Sequence, residues 1–165
     1  MAELMPAQRE FRAAMATLSA GVSVVTTDGP AGRAGITVSA ACSVTDEPPT
    51  MLVCVHRASR AHDVLAANAR ACVNVLGSGQ RDLALRFAGA LPMHERFTGE
   101  VCDFAEVPVL RDAASSVIGR LSQVRVQGSH SVMFLEAERV ITRSGSGGLV
   151  YFQREFHGLA GARRG

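Results

Sequence analysis

A chain of 165 residues suffices for one domain with a proper core and is short for two. With 47% hydrophobic and 19% charged residues it has an ordinary globular composition, and no stretch approaches the roughly 20 unbroken apolar residues of a membrane-spanning helix. The formal net charge of +2, carried by arginines scattered along the chain, is too small a footprint for nucleic acid. There is no lysine, so Schiff-base chemistry has no amine to use. The amino-terminal MAELMPAQREFRAAM interleaves acidic and basic residues without an apolar signal core, which makes the cytoplasm the expected compartment. Cys42, Cys54, Cys72 and Cys102 form no CxxC pair, and three of them sit in apolar or strand-like runs, so buried free thiols are expected.

In chain order, Phe11, Met15 and Leu18 recur at helical spacing within residues 6–19, and Gly21 is placed to stop that helix. GVSVVTTDGPAGRAGITVSAACSVT reads as two β-rich runs joined by a turn containing Asp28, Gly29, Pro30 and Gly32, closed by the loop DEPPT. MLVCVHR is a buried-looking strand, after which Ser59 caps a helix through roughly Asn68 with Val64 and Leu65 inward. ACVNVL is another strand. Ser78 then caps a third short helix over QRDLALRFAG, in which Leu83 and Phe87 share a face and Gly89 supplies the stop. Residues 90–111 contain Pro92, Gly99 and Pro108 with little periodicity, and read as a long excursion near the site, a lid or a dimer contact. Strands are expected at 117–127, 130–143 and 149–156, the last two joined by SGSGG. About seven strands in local succession, with short helices between them, predict a single mainly β domain over residues 1–165, an antiparallel sheet closed as a small barrel.

Several familiar chemistries fail on spacing. Gly77-Ser78-Gly79 lies between a strand and a helix, but Asp82 stands where a dinucleotide-binding loop needs its third glycine. Gly145, Gly147 and Gly148 lie between strands and suit a hairpin turn. His94-Glu95-Arg96 begins like a zinc-protease motif, yet Thr98 replaces the second histidine, and the other histidines show no metal spacing. No GxSxG elbow is present. Two stretches remain. Gly35, Thr37, Val38, Ser39, Ala40, Ala41, Cys42 and Ser43 place small and hydroxylic residues where a core strand would carry bulky ones, which lets a flat ligand approach the backbone; an edge strand with solvated hydroxyls fits equally. His56-Arg57-Ala58-Ser59-Arg60 spans a strand end and a helix start, where arginines, a hydroxyl and helix N–H groups suit a phosphate; a plain capped helix fits as well.

With these two stretches the sequence TTDGPAGRAGITVSAACSVTDEPPTMLVCVHRASRAHD resembles the short-chain flavin reductase family, most closely the reductase components of 4-hydroxyphenylacetate 3-monooxygenase and of pyrimidine degradation. ACVNVL, LALRFAG, MHERF, GSHSVMFLEAERV and GLVYFQREFHGL follow in the same order, so the resemblance covers residues 11–159. It implies an FMN-binding split β-barrel, usually a homodimer, with FMN or FAD beside the subunit interface and NADH or NADPH as hydride donor. It further implies a separate oxygenase supplied with reduced flavin. Alternatives are a reductase of another acceptor such as a corrin cobalt, or a non-catalytic flavin-binding module. By the same resemblance Gly35, Thr37, Val38, Ser39 and Ala40 line the ring, while Cys42, Ser43, Arg57 and Ser59 hold the ribityl phosphate end. Phe87, Ala88 and Gly89 approach the cofactor, His130 lies near the nicotinamide, and Tyr151 and His157 complete the site. Ala41, Cys42 and Ala61 depart from the pattern of many relatives, and Ala61 removes a hydroxyl from the phosphate end.

Overall fold

The computed structural model describes residues 4–99 and 101–162. Its centre is a seven-stranded antiparallel sheet built from β2 (Ser23–Thr27), β3 (Ala34–Val38), β4 (Ala41–Asp46), β5 (Pro49–His56), β6 (Arg70–Val75), β9 (Ser115–Gln127) and β10 (His130–Thr142). The strand order is β3-β2-β6-β9-β10-β5-β4. The two edge strands, β3 and β4, are neighbours in sequence, joined only by Ser39 and Ala40 and not paired to each other. The sheet therefore curls until its edges lie side by side, and the unpaired seam between them makes the barrel a split one. Smaller pieces flank it: β1 (Ala20–Gly21) pairs β11 (Gly148–Phe152), which pairs β12 (Glu155–Leu159), and β7 (Cys102–Phe104) pairs β8 (Pro108–Leu110).

Helix α2 (Arg60–Asn68) starts where expected, with the Ser59 hydroxyl accepting from the Ala61 N–H at 3.1 Å, and closes on Ala69 in the left-handed region. Its Leu65 joins Val25, Val53, Val55, Val73, Met133 and Leu135 in one core. A second core gathers Val22, Val24, Leu76, Phe87, Phe97, Leu110 and Leu149. Here α3 (Arg81–Leu85) runs into a π-helical turn (Arg86–Ala90) that ends at Gly89, φ +107, before α4 (Met93–Arg96). Gly89 thus stops the helix as the sequence predicts.

Four expectations are corrected. Ser78 does not cap α3; the helix opens at Arg81 after Gln80, and the Ser78 hydroxyl donates to the Ser146 carbonyl at 3.3 Å. The first helix is shorter than residues 6–19 and is not stopped by Gly21: α1 (Pro6–Ala16) closes on Thr17, leaving Leu18 beyond it and Gly21 in β1, and no residue of α1 is buried in the single chain, Phe11 being 66% exposed. Of the thiols only Cys72 and Cys102 are buried, and burial pushes Cys72 up to about 12; Cys42 is exposed and Cys54 half-buried because they lie on the outward side of β4 and β5. The excursion is no loose lid at its far end: Val107, Val109 and Leu110 are buried, fastened by the Asn74 side chain. Asn74 Oδ1 accepts from the Leu110 N–H at 2.9 Å and the Ser116 hydroxyl at 3.1 Å, while Nδ2 donates to the Val24 carbonyl at 3.0 Å and to Thr26 Oγ1 at 3.1 Å.

Two substitutions test these contacts. Replacing Asn74 by Ala strands the Leu110 N–H and takes the acceptor from the Ser116 hydroxyl in a dry core, and is expected to lower unfolding free energy by about 2–4 kcal/mol in a urea titration. A Cβ built on Gly35 would stand 2.7 Å from the Phe87 ring and 3.0 Å from the Phe97 ring. Gly35→Ala is therefore expected to cost about 1–3 kcal/mol by thermal unfolding, because both rings must move.

Candidate functional site

Two cavities meet at Ile36 of β3 and Ala88 of the π-helical turn. The first, about 620 Å³, is lined by His56, Ala58, Ser59, Arg60, Phe87, Ala88, Gly89, Met93 and Arg96 among others. The second, about 670 Å³, is lined by Thr37, Val38, Ser39, Arg81, Ala88, Tyr151, Arg154, Glu155 and Phe156 among others. A broader recess of about 1050 Å³ runs along the exposed face of α1 and touches Ser39, Ala40, Cys54, Tyr151 and Arg154. The split seam of the barrel therefore opens onto the second cavity and the recess.

The first cavity is electropositive and built. Arg96 is only 9% exposed; its Nε donates to the Leu91 carbonyl at 3.0 Å and its Nη1 to the carbonyls of Gly35 at 2.8 Å and Phe87 at 3.2 Å. Its Nη2 lies beside Gly89 at the cavity wall, and among the described residues no carboxylate pairs with this guanidinium. Burial, and then the like charge of Arg60, draw its pKa below the ordinary arginine value. A cation taken from water without a counter-charge is costly, and an anion entering the cavity removes that cost. Ser59 and Arg60 at the start of α2 line the same space, adding a hydroxyl and a second cation beside the positive end of the helix. The donor set fits the phosphate of a nucleotide.

The second cavity offers backbone and small side chains. Thr37 Oγ1 donates to the Ala84 carbonyl at 2.6 Å, which ties β3 to α3 and leaves its lone pairs outward. Tyr151 packs on Phe156 with ring centroids 5.1 Å apart.

Of the residues named from sequence, Ser59, Phe87, Ala88 and Gly89 line the first cavity, and Thr37, Val38, Ser39, Ala88 and Tyr151 the second. Ala40 faces the recess. Gly35 is behind the wall, where its lack of a side chain admits Phe87. Cys42 and Ser43 lie on the exposed face of edge strand β4, outside both cavities of the single chain. Arg57 points away and donates to the Gly128 carbonyl at 3.4 Å, so Arg60 takes the cavity position instead. His130 meets His56 edge to face with centroids 4.9 Å apart and hydrogen-bonds Ser129, touching the first cavity only through His56. His157 hydrogen-bonds the Phe152 carbonyl at 3.2 Å and lines neither cavity. The sequence reading missed Arg96, Arg81 and Arg154, and had Arg60 in the phosphate-suited stretch without assigning it to the cofactor. Arg60 adjoins Ser59 and Arg96 lies in MHERF, but nothing local marks either as facing a cavity.

Two other chemistries lack the geometry they need. His62 joins Asp63 at 2.7 Å and Ser131 at 2.9 Å, but Ser131 is fully buried and offers a substrate no approach. Among the described residues no His, Cys, Asp and Glu grouping has metal-binding geometry.

The flavin reductase like domain matches residues 15–160. Over 99% of either chain the sequence is 46% identical to the reductase component of 4-hydroxyphenylacetate 3-monooxygenase of Pseudomonas aeruginosa. It is 45% identical to the FMN reductase (NADH) RutF of Stutzerimonas stutzeri over 93% of this chain and 89% of that one. Among solved structures, BorF, the flavin reductase component of a bacterial two-component tryptophan halogenase, superposes with a TM-score of 0.87 at 26% identity, covering 93% of this chain and 99% of its own. The family model over residues 15–160 and relatives matched along nearly the whole length, in agreement with the split barrel, place this chain in the flavin reductase family.

Proposed function

We propose that the protein is an NAD(P)H:flavin oxidoreductase that delivers reduced FMN or FAD to a separate flavin-dependent monooxygenase. The observation that carries this reading is the buried Arg96, paired with no carboxylate among the described residues, at a cavity that Ser59 and Arg60 also line. These groups hold the flavin phosphate. Thr37, Val38, Ser39 and Ala40 at the seam, with Ala88 opposite, bracket the ring, and their backbone dipoles favour negative charge on it. When bound, the flavin accepts a hydride from nicotinamide, so the protein has only to bring two planar rings together and exclude competing geometries. This is why no acid–base constellation is required at the junction of the two cavities. The relatives named as reductase components of two-component systems support transfer of reduced flavin to a partner enzyme.

The working unit in this reading is a homodimer. An exposed Phe11, Met15 and Leu18 stripe bordering a recess that shares Ser39, Tyr151 and Arg154 with the second cavity suits a second copy of the chain. Cys42, Ser43, Arg57, His130 and His157 lie outside the cavities of one chain, and the dimer is where they complete the site, His130 on the nicotinamide side. Four free thiols and nicotinamide-dependent chemistry favour the cytoplasm.

NADH oxidation at catalytic protein concentration is expected to require added FMN or FAD; no turnover with either, despite flavin binding, refutes the reading. Arg60→Gln is expected to weaken FMN binding about tenfold and to leave riboflavin binding nearly unchanged, since riboflavin lacks the phosphate. Equal losses for both ligands indicate a collapsed wall and count against the phosphate assignment. Met15→Glu is expected to shift the sedimenting species from dimer to monomer and to weaken flavin binding with it; an unchanged dimer rules out the α1 face.

A further inference from the structure

We propose that Arg81 and Arg154 form a subsite for the diphosphate of the dinucleotide hydride donor, and that Glu155 beside them takes the adjoining ribose. The inference rests on the flavin reading of the first cavity. Arg81 and Arg154 both line the second cavity, and among the described residues neither has an ion-pair or hydrogen-bond partner, so their donors are free for a ligand. Paired arginines aimed into one cavity suit the oxygens of a diphosphate, which they can meet with several charge-assisted hydrogen bonds.

The backbone carries a second, independent signal. Gln153 and Arg154 occupy successive left-handed positions, φ +50 and +65, at the tip of the β11–β12 hairpin. That turn is ordinarily made by Asn-Gly or Asp-Gly, because side chains there meet steric resistance. A surface loop that needed no side chain would use glycine. The Gln153 N–H donates to the Ala16 carbonyl at 2.8 Å, which fixes the turn and so the direction from which Arg154 enters the cavity. Arg81 is likewise out of place electrostatically, being a cation at the opening of α3, where the helix dipole disfavours it.

The position of this pair tells which molecule it serves. The cavities share only Ile36 and Ala88, and the flavin phosphate site lies at the α2 end of the first. A flavin whose ring sits at the junction keeps all its phosphates on the α2 side, including the second phosphate of FAD. Arg81 and Arg154 stand beyond the other side of the ring, where a second anionic molecule must approach. Glu155 accepts hydrogen bonds from ribose hydroxyls and repels a 2′-phosphate, so the same corner selects NADH over NADPH.

The test is steady-state NADH oxidation by the full chain at saturating FMN, with FMN and FAD affinities measured separately by fluorescence titration. In the double variant Arg81→Gln with Arg154→Gln, KM for NADH is expected to rise about tenfold while kcat and both flavin affinities stay within about twofold. The rise of KM with salt seen in the unmodified protein is expected to flatten, because the screened charges are gone. Glu155→Gln is expected to shift the NADH over NADPH preference about fivefold toward NADPH. An unchanged KM for NADH, or a loss of FMN or FAD affinity in parallel with it, overturns the diphosphate subsite, and an unchanged donor preference overturns the role of Glu155. If the unmodified protein binds flavin but shows no flavin-dependent NADH oxidation, the parent reading fails, and this inference with it.

Discussion

The guanidinium of Arg96 is the constraint on which the site depends. Three of its N–H groups are spent on main-chain carbonyls, one each from β3, the π-helical turn and the bend after it. Those three segments have no ladder to hold them together, since β3 is an edge strand and the turn is too short and irregular to be rigid alone. A single planar side chain with several fixed donors can tie all of them at once; a lysine in its place would offer one point of attachment. The same burial leaves a positive charge at the wall of a cavity with no counter-charge among the described residues, so one residue both shapes the pocket and gives it an appetite for anions.

The second organising fact is the unclosed seam. A seven-stranded antiparallel sheet that curls until its edge strands adjoin has two rows of unpaired backbone groups to manage. Here they are joined by Ser39 and Ala40 alone, and the residues around the join are too small to cover it. Exposed backbone N–H groups next to a cavity of nucleotide size are a liability in an empty protein and a binding surface in an occupied one. The exposed stripe on α1 follows the same logic: an amphipathic helix with no buried residue in its own chain gains stability when another surface covers its apolar side.

Functional side chains are then distributed according to rigidity. Ser59 and Arg60 stand at the capped start of α2, whose Leu65 is locked in the main core, so the anion end of the pocket is firm. Arg154 stands on a hairpin fixed by strained backbone and a hydrogen bond to Ala16. Between them Phe87 rests on a glycine that has no side chain to displace it. The site is assembled where a strand edge, a helix start and a hairpin tip converge, and each part is held by the core behind it and not by its neighbours in the pocket.

What the sequence by itself determined was local. Alternating and continuous apolar runs located the long strands, Ser59 announced α2, Gly89 stopped the third helix, and motifs in order identified the family. These are effects of period, capping and φ preference, which act over a few residues and are written there. The choice of Ser78 as a cap failed because its hydroxyl is claimed by Ser146, 68 positions away. The reading of residues 90–111 as a loose excursion does not extend to its far end because Asn74, a polar residue in a strand with no local reason to be exceptional, reaches across to Leu110. Arg60 was preferred over Arg57 by a difference of three residues around a helix start, which turns one side chain into the cavity and the other away. Which arginines face a cavity, which thiols are buried and which face of α1 is left bare depend on contacts between distant segments. Those contacts come into being only when the sheet curls, and so the tertiary structure alone decided them.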